Sequence, residues 1–194
     1  MGSDSRERMV QSAAALIGAH GLNATSFADV IAESGAPRGS IYHHFPEGKK
    51  QLAEEAIHWT SEQILAYQRA CVATTAADVL KWFVDLWRQS LLASGCTAGC
   101  PVVGVAINTL AGEVDLIAVV RAAFQSWVAL LAAQLEAVGV PAQRAAAIAL
   151  TALAGMEGAL ILSWAEGDSG PLEAIADELL RLLPVETTGS GQGP

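Results

Sequence analysis

A chain of 194 residues with 52% hydrophobic and 16% charged side chains is long enough to bury one large core, or one small and one medium core, and too apolar to stay unfolded. Its formal net charge of -9 excludes a protein that binds nucleic acid over its whole surface. Abundant alanine and leucine, prolines confined to junctions and few alternating β-branched runs exclude a sheet protein, so the expected fold class is all-α.

The charge is unevenly spread. The first 50 residues hold five basic and five acidic side chains and sum to zero, whereas the remaining 144 hold six and fifteen. A neutral head with clustered Arg38, Lys49 and Lys50 still suits a few placed contacts to phosphates. Three cysteines, Cys71, Cys96 and Cys100, are an odd set in a chain without a secretory leader, which points to a reducing cytoplasm. Cys96 and Cys100 leave a disulfide or a metal site open as readings, but no His or carboxylate cluster completes a ligand set, and no metal or cofactor is expected.

In chain order, residues 4–20 predict a helix whose inward stripe is Met9, Ala13, Leu16 and Ile17, with Arg6, Glu7, Arg8 and Gln11 outside. His20 and Gly21 end it. The stretch 25–52, TSFADVIAESGAPRGSIYHHFPEGKKQL, then organises the head. Ser26 caps a short helix, Asp29 sits three residues on at the positive end, and Phe27, Val30 and Ile31 share an apolar face. Gly35 stops that helix, Gly-Ala-Pro makes a turn, and Pro37, with no amide proton to lose, opens a second short helix. Ile41 and Phe45, four apart, point inward there, leaving Arg38, Ser40, Tyr42, His43 and His44 facing out.

The run from 34 to 46, SGAPRGSIYHHFP, resembles the helix-turn-helix signature of the TetR family of transcriptional regulators, and the motif-level likeness covers roughly residues 6–60. The family usually has one residue between Phe-Pro and a lysine. Here Glu47 and Gly48 precede Lys49, an insertion that resembles the LmrA/YxaF-like branch, as does Gly-Cys-Pro-Val at 99–102. The resemblance implies a helix-turn-helix head over 1–47, a larger helical ligand-binding and dimerisation domain over 48–184, and a disordered tail over 185–194. It further implies a cytoplasmic homodimer on double-stranded operator DNA, released by a small-molecule effector. Thr25 or Ser26, Tyr42 and Lys49 would hold phosphates, and Arg38, Gly39, Ser40, His43 and His44, after Pro37, would approach the bases. His43 and His44 diverge by about 100° around the helix, so they do not readily share a metal.

A long helix from Gly48 to about Ala70 links head to body, and a second, over 76–93, gathers Trp82, Phe83, Leu86 and Trp87. SGCTAGCP at 94–101 breaks the pattern. A short apolar helix over 102–111 precedes a long one over 113–138 that is apolar on two sides and therefore central. Gly139-Val-Pro141 opens an alanine-rich helix to Glu166, and Gly170-Pro171 opens the last, through Leu183.

Residues 145–164 carry one charge, Glu157, and invite a membrane reading; the carboxylate costs about 2.5–3.5 kcal/mol at a bilayer centre and alanine offsets little, so a buried helix is expected. Small residues Ala149, Ala152, Gly155 and Ala159 beside Leu172, Ile175 and Leu179 suit close helix packing. By resemblance they form a four-helix dimer interface, with packing inside one chain as the other reading. Trp87, Phe124, Trp127 and Met156 either line a cavity for a flat apolar compound or are plain core, and Asn108, Arg121 and Glu157 either anchor that compound or are satisfied elsewhere. No nucleophile elbow, phosphate loop, dinucleotide fingerprint or zinc-protease pair is present, and no enzyme is expected. Two other readings remain beside a ligand-released repressor: a ligand-independent DNA-binding protein, and a small-molecule carrier without DNA binding.

Overall fold

The computed structural model describes residues 2–97, 99–109 and 114–183, which fold into nine α-helices with no strand among them. They are α1 (Gly2–His20), α2 (Phe27–Ser34), α3 (Ser40–His44), α4 (Lys49–Arg69), α5 (Ala76–Ala93), α6 (Pro101–Thr109), α7 (Val114–Ala137), α8 (Ala142–Glu166) and α9 (Gly170–Arg181). The tail expected over 185–194 and the end of the body at Pro184 lie outside the described residues.

Local chemistry sets the head. The Ser26 hydroxyl accepts from the Asp29 amide at 3.2 Å while the Asp29 carboxylate accepts from the Ser26 amide at 2.9 Å, a reciprocal box that satisfies two free donors at the start of α2. Those bonds hold the Asp29 carboxyl below the usual carboxylate range. The one-residue insertion before Lys49 also has a local reason: Gly48, before α4, sits at φ 79° and ψ -153°, which side chains with a Cβ do not adopt. Met9, Ala13 and Ile17 are buried as the stripe on α1 requires, with Leu16 half-buried beside them.

The apolar core runs unbroken from Met9 in the head to Leu179 in α9. The seam between head and body is a backbone contact. A Cβ on Gly18 of α1 would lie 2.5 Å from the Gly99 carbonyl oxygen, and one on Gly104 of α6 would lie 2.6 Å from the Ile17 carbonyl oxygen, so only glycine lets α6 lie flat on α1. Asn108 fastens the same seam: its amide donates to the Gly104 carbonyl at 2.8 Å and its oxygen accepts from the Asn23 amide at 3.1 Å, in the loop before α2.

In the body, α7 and α8 are each long and apolar enough to cross a membrane by length and composition. They pack instead against one another, with α7 also on α4 and α6 and α8 on α9. Trp127, fully buried on α7, donates its Nε1 to Ser61 on α4 at 3.0 Å. Helix α9 is tied to α5 by a two-bond fork, Arg88 Nε and Nη2 donating to the Glu173 carboxylate at 2.7 and 2.6 Å.

Arg88 holds the Glu173 carboxyl below the ordinary glutamate range, against a smaller opposing push from burial. A depressed carboxyl stabilises the fold above its ordinary value near 4.5 and loses that contribution as pH falls through the folded value. The pair is part-exposed, so screening limits it to about 1 kcal/mol. Glu173→Gln is expected to be the less stable protein at neutral pH by that amount and to lose less than wild type on acidification from about pH 5 to about pH 3. Parallel urea melts check this; equal acid sensitivity in the two proteins contradicts it.

Candidate functional site

The outward surface of the head is built by one and a half turns of helix. Ile41 and Phe45 are buried at 0% and 1% exposure and pull α3 onto the core, which leaves Tyr42 at 69% exposure with Arg38 and His43 exposed beside it and His44 half-buried. The Tyr42 ring meets Phe27 of α2 edge-on at 5.5 Å, so α2 props the tyrosine upright. The His43 and His44 rings lie 5.5 Å apart at 63°. No cluster of three or more His, Cys, Asp or Glu able to hold a metal occurs among the described residues.

Three expected positions differ in detail. Pro37 does not open the helix: its carbonyl accepts from the Ser40 amide at 2.9 Å and the Ser40 hydroxyl at 2.7 Å, closing a turn over Arg38 and Gly39 before α3 starts at Ser40. Thr25 is 4% exposed and donates its hydroxyl to the Gly21 carbonyl at 2.9 Å, so that hydroxyl shapes the loop and only Ser26 of the two is exposed. The Lys49 ammonium donates to the Asn23 carbonyl at 3.2 Å, which sets it at the head's edge beside the loop that precedes α2.

A cavity opens behind the head in two lobes of about 340 and 460 Å³ that share Ala19, Thr97, Gly99, Cys100 and Leu160. The first lies between α1, α6 and α8, with Ile17, Asn108, Glu157 and Trp164 on its walls. The second reaches between α1, α4 and α5, with Trp59, Thr60 and Trp87. Three polar atoms on these walls, Glu157 Oε1, Thr60 Oγ1 and Trp87 Nε1, are buried without a hydrogen-bond partner among the described residues. Burial raises the Glu157 carboxyl to about 7, opposed in part by the adjacent Cys100 thiol, and burial also pushes that thiol well above its ordinary value.

Of the residues expected to bind a ligand, Trp87, Asn108 and Glu157 line the cavity. Trp127 stands behind Trp87 at 6.2 Å between ring centres, Phe124 packs on Trp127 at 5.4 Å, and Met156 is fully buried, so these three form the core beneath the wall. Arg121 is exposed on α7 and outside both lobes, the solvent-facing alternative for a long cationic chain. Residue patterns did not reveal that Ile17, Gly18 and Ala19 of α1 wall the first lobe; the one available signal was glycine in both α1 and the 99–104 stretch.

On α8 the small residues expected at a dimer interface are packed within one chain. Ala149, Ala152 and Ala159 are buried at 0–1% exposure inside one chain, Leu172 and Leu179 of α9 at 0% and 3%, and a Cβ on Gly155 would meet Ile175 at 3.0 Å. Gly155 thus lets α9 of the same chain approach, and the alanines beside it are covered within that chain. The opposite face of α8 carries Leu150 at 61%, Ile161 at 53% and Trp164 at 60% exposure.

Comparison with known proteins agrees with the geometry. Residues 10–56 match the family described as bacterial regulatory proteins, tetR family, and residues 76–178 match transcriptional regulator LmrA/YxaF-like, C-terminal domain. An HTH-type transcriptional regulator of Mycobacterium tuberculosis is 38% identical over 188 residues, covering 93% of this chain and 95% of that protein. LmrA of Bacillus subtilis, also an HTH-type transcriptional regulator, is 31% identical over 182 residues, covering 93% and 97%. Among solved structures, a TetR transcriptional regulator from Chloroflexus aurantiacus is 29% identical, with a TM-score of 0.74 over 93% of this chain and 94% of that one. One from Legionella pneumophila, at 24% identity, shares the fold with a TM-score of 0.82 over 92% and 96%. With a reading head at one end, a helical body at the other and kinship spanning both, the chain belongs to the TetR family of DNA-binding transcriptional regulators, in its LmrA/YxaF-like branch.

Proposed function

We propose that the protein is a cytoplasmic repressor that binds a palindromic operator as a homodimer and leaves it when a small, largely apolar molecule enters the cavity. The observation that carries this reading is the shared wall: α1, a helix of the head, lines both lobes, and three residues on the walls carry buried polar atoms without a partner among the described residues. A molecule larger than the open volume displaces a helix, because the packed walls around it cannot yield otherwise, and here α1 and α6 touch through glycine backbones, so displacement of either reaches the head. Ligand and operator then weaken each other by one factor, as linkage requires.

The exposed apolar face of α8 supports pairing with a second copy. Leu150, Ala154, Gly158, Ile161 and Ala165 recur every three or four residues on the side opposite the buried alanines, and Gly158 leaves open space above its backbone. Two heads are needed because one neutral head with few cations binds too weakly alone.

Selection from random duplexes is expected to return half-sites about one helical turn, or a multiple of it, apart. Arg38→Ala is expected to relax base preference at a cost of about 1–3 kcal/mol, whereas Lys49→Ala weakens all sequences alike and flattens the salt dependence by about one unit. Wild-type behaviour in both variants, by fluorescence anisotropy over a salt series, removes this face as the DNA surface. A cavity ligand that leaves operator affinity unchanged at saturation removes the switch.

A further inference from the structure

The first lobe has one carboxyl group and nothing to neutralise it. Glu157 Oε1 is sealed from solvent without a partner among the described residues, and neither lobe is lined by Lys, Arg or His. The facing groups are apolar on α1 (Ile17, Gly18, Ala19), a neutral amide on α6 (Asn108) and the Cys100 thiol at the α6 start. The basic side chains around this region are engaged elsewhere or face solvent: Arg88 of α5 is held by Glu173 of α9 and by Asp85, Arg144 of α8 donates to the Leu182 carbonyl, Arg121 of α7 is exposed, and His20 of α1, between Ala19 and Gly21, is exposed and lines neither lobe.

We propose that the cavity selects a protonated amine carried on a flat apolar body, its ammonium paired with the Glu157 carboxylate and its body lying against the apolar walls and Trp164. This rests on the reading of the cavity as the effector site. An anionic ligand is repelled by the carboxylate, and a neutral one leaves the ionised carboxylate uncompensated. A cation instead removes the cost of burying that charge and gains an attraction strengthened by the low-dielectric wall. The remainder of the protein acts in the same direction, because residues 51–194 hold fifteen acidic side chains against six basic ones and draw cations in. Trp164, on the same helix and half-open at the lobe, adds an aromatic face to which an ammonium is also attracted.

Ionisation gives the proposal a pH signature. Glu157 titrates near 7 because of its burial, while Cys100 stays neutral, so the ion pair forms only as the carboxyl loses its proton. Affinity for an amine that remains protonated should therefore rise about tenfold between about pH 6 and about pH 8, following the ionised fraction.

The test is calorimetric titration of the full chain with 1-naphthylmethylamine, 1-naphthylmethanol and 1-naphthoate, which share a body and differ in charge. The amine is expected to bind at least about tenfold more tightly than the alcohol at about pH 8, with the naphthoate weakest and the amine's advantage shrinking at about pH 6. Glu157→Gln, checked for folding by thermal melting, should bind amine and alcohol alike and lose the pH dependence. Should that variant fail to fold, the wild-type pH profile decides. Equal binding of amine and alcohol by wild type at both pH values overturns the cation preference and leaves the effector-site reading standing. Failure of all three to bind overturns both.

Discussion

Ala152→Arg is expected to unfold the body, whereas Leu150→Arg, two residues away on the same helix, should yield a folded monomer that no longer holds its operator. Ala152 has no exposed surface and lies on a helix that packs against both α7 and α9 of the same chain. An arginine there overpacks the seam and buries a charge with no partner, a combination costing more than about 4 kcal/mol out of the roughly 5–15 kcal/mol that holds a domain folded. Leu150 is 61% exposed on the opposite face, where substitutions change a single chain by about 0.5 kcal/mol or less. Its effect is on association: a guanidinium pair placed across a two-fold axis repels, and loss of the dimer unlinks the two heads. Urea melts and sedimentation of both variants separate the outcomes. A folded Ala152→Arg protein means that face of α8 is not closed within one chain, and a dimeric Leu150→Arg protein means the dimer seam lies elsewhere.

Phe45→Ala is the second change of large effect, and it should weaken operator binding about a hundredfold while sparing the cavity. Helix α3 has five residues, far below the length at which a helix persists by itself, so its order comes from Ile41 and Phe45 in the core. Phe45 also lies under the Arg6 guanidinium, 5.5 Å from the ring centre, and Arg6 is paired with Glu55 at 2.6 Å, which joins α1, α3 and α4 at one point. Truncating the ring removes about 3–5 kcal/mol from that junction. If about 3 kcal/mol of ordering must then be supplied on binding, operator affinity falls about a hundredfold. Calorimetry with the naphthyl probes should show the cavity unchanged. Wild-type operator affinity in this variant would mean that α3 does not read the DNA.

What was legible in the chain itself is mostly short-range. Ser26 and Asp29 are three residues apart and bond each other whatever surrounds them, and Ile41 and Phe45, four apart on a helix, have one side on which both can be buried. Helix existence was equally local: glycine and proline punctuation located the body helices to within a few residues, and the 76–93 helix at both ends. Direction was not local. Helix α8 is alanine-rich and apolar nearly all round, so its small residues fit a neighbour on either side, and only the positions of α7 and α9 decided that Ala149, Ala152 and Ala159 turn inward while Leu150 and Ile161 turn out. Asn108, Arg121 and Glu157 look alike as polar interruptions of apolar helices, yet one locks the loop before α2, one reaches solvent and one ends unpartnered in a cavity. Their fates depend on which helices lie opposite, and those contacts, such as Asn23 with Asn108 and Gly18 with Gly99, join segments some 80 residues apart that hydrophobic periodicity cannot pair. Sequence alone therefore determined the reading head and its family, while tertiary packing decided where the cavity lies, that a head helix walls it, and which face of α8 is left for a partner.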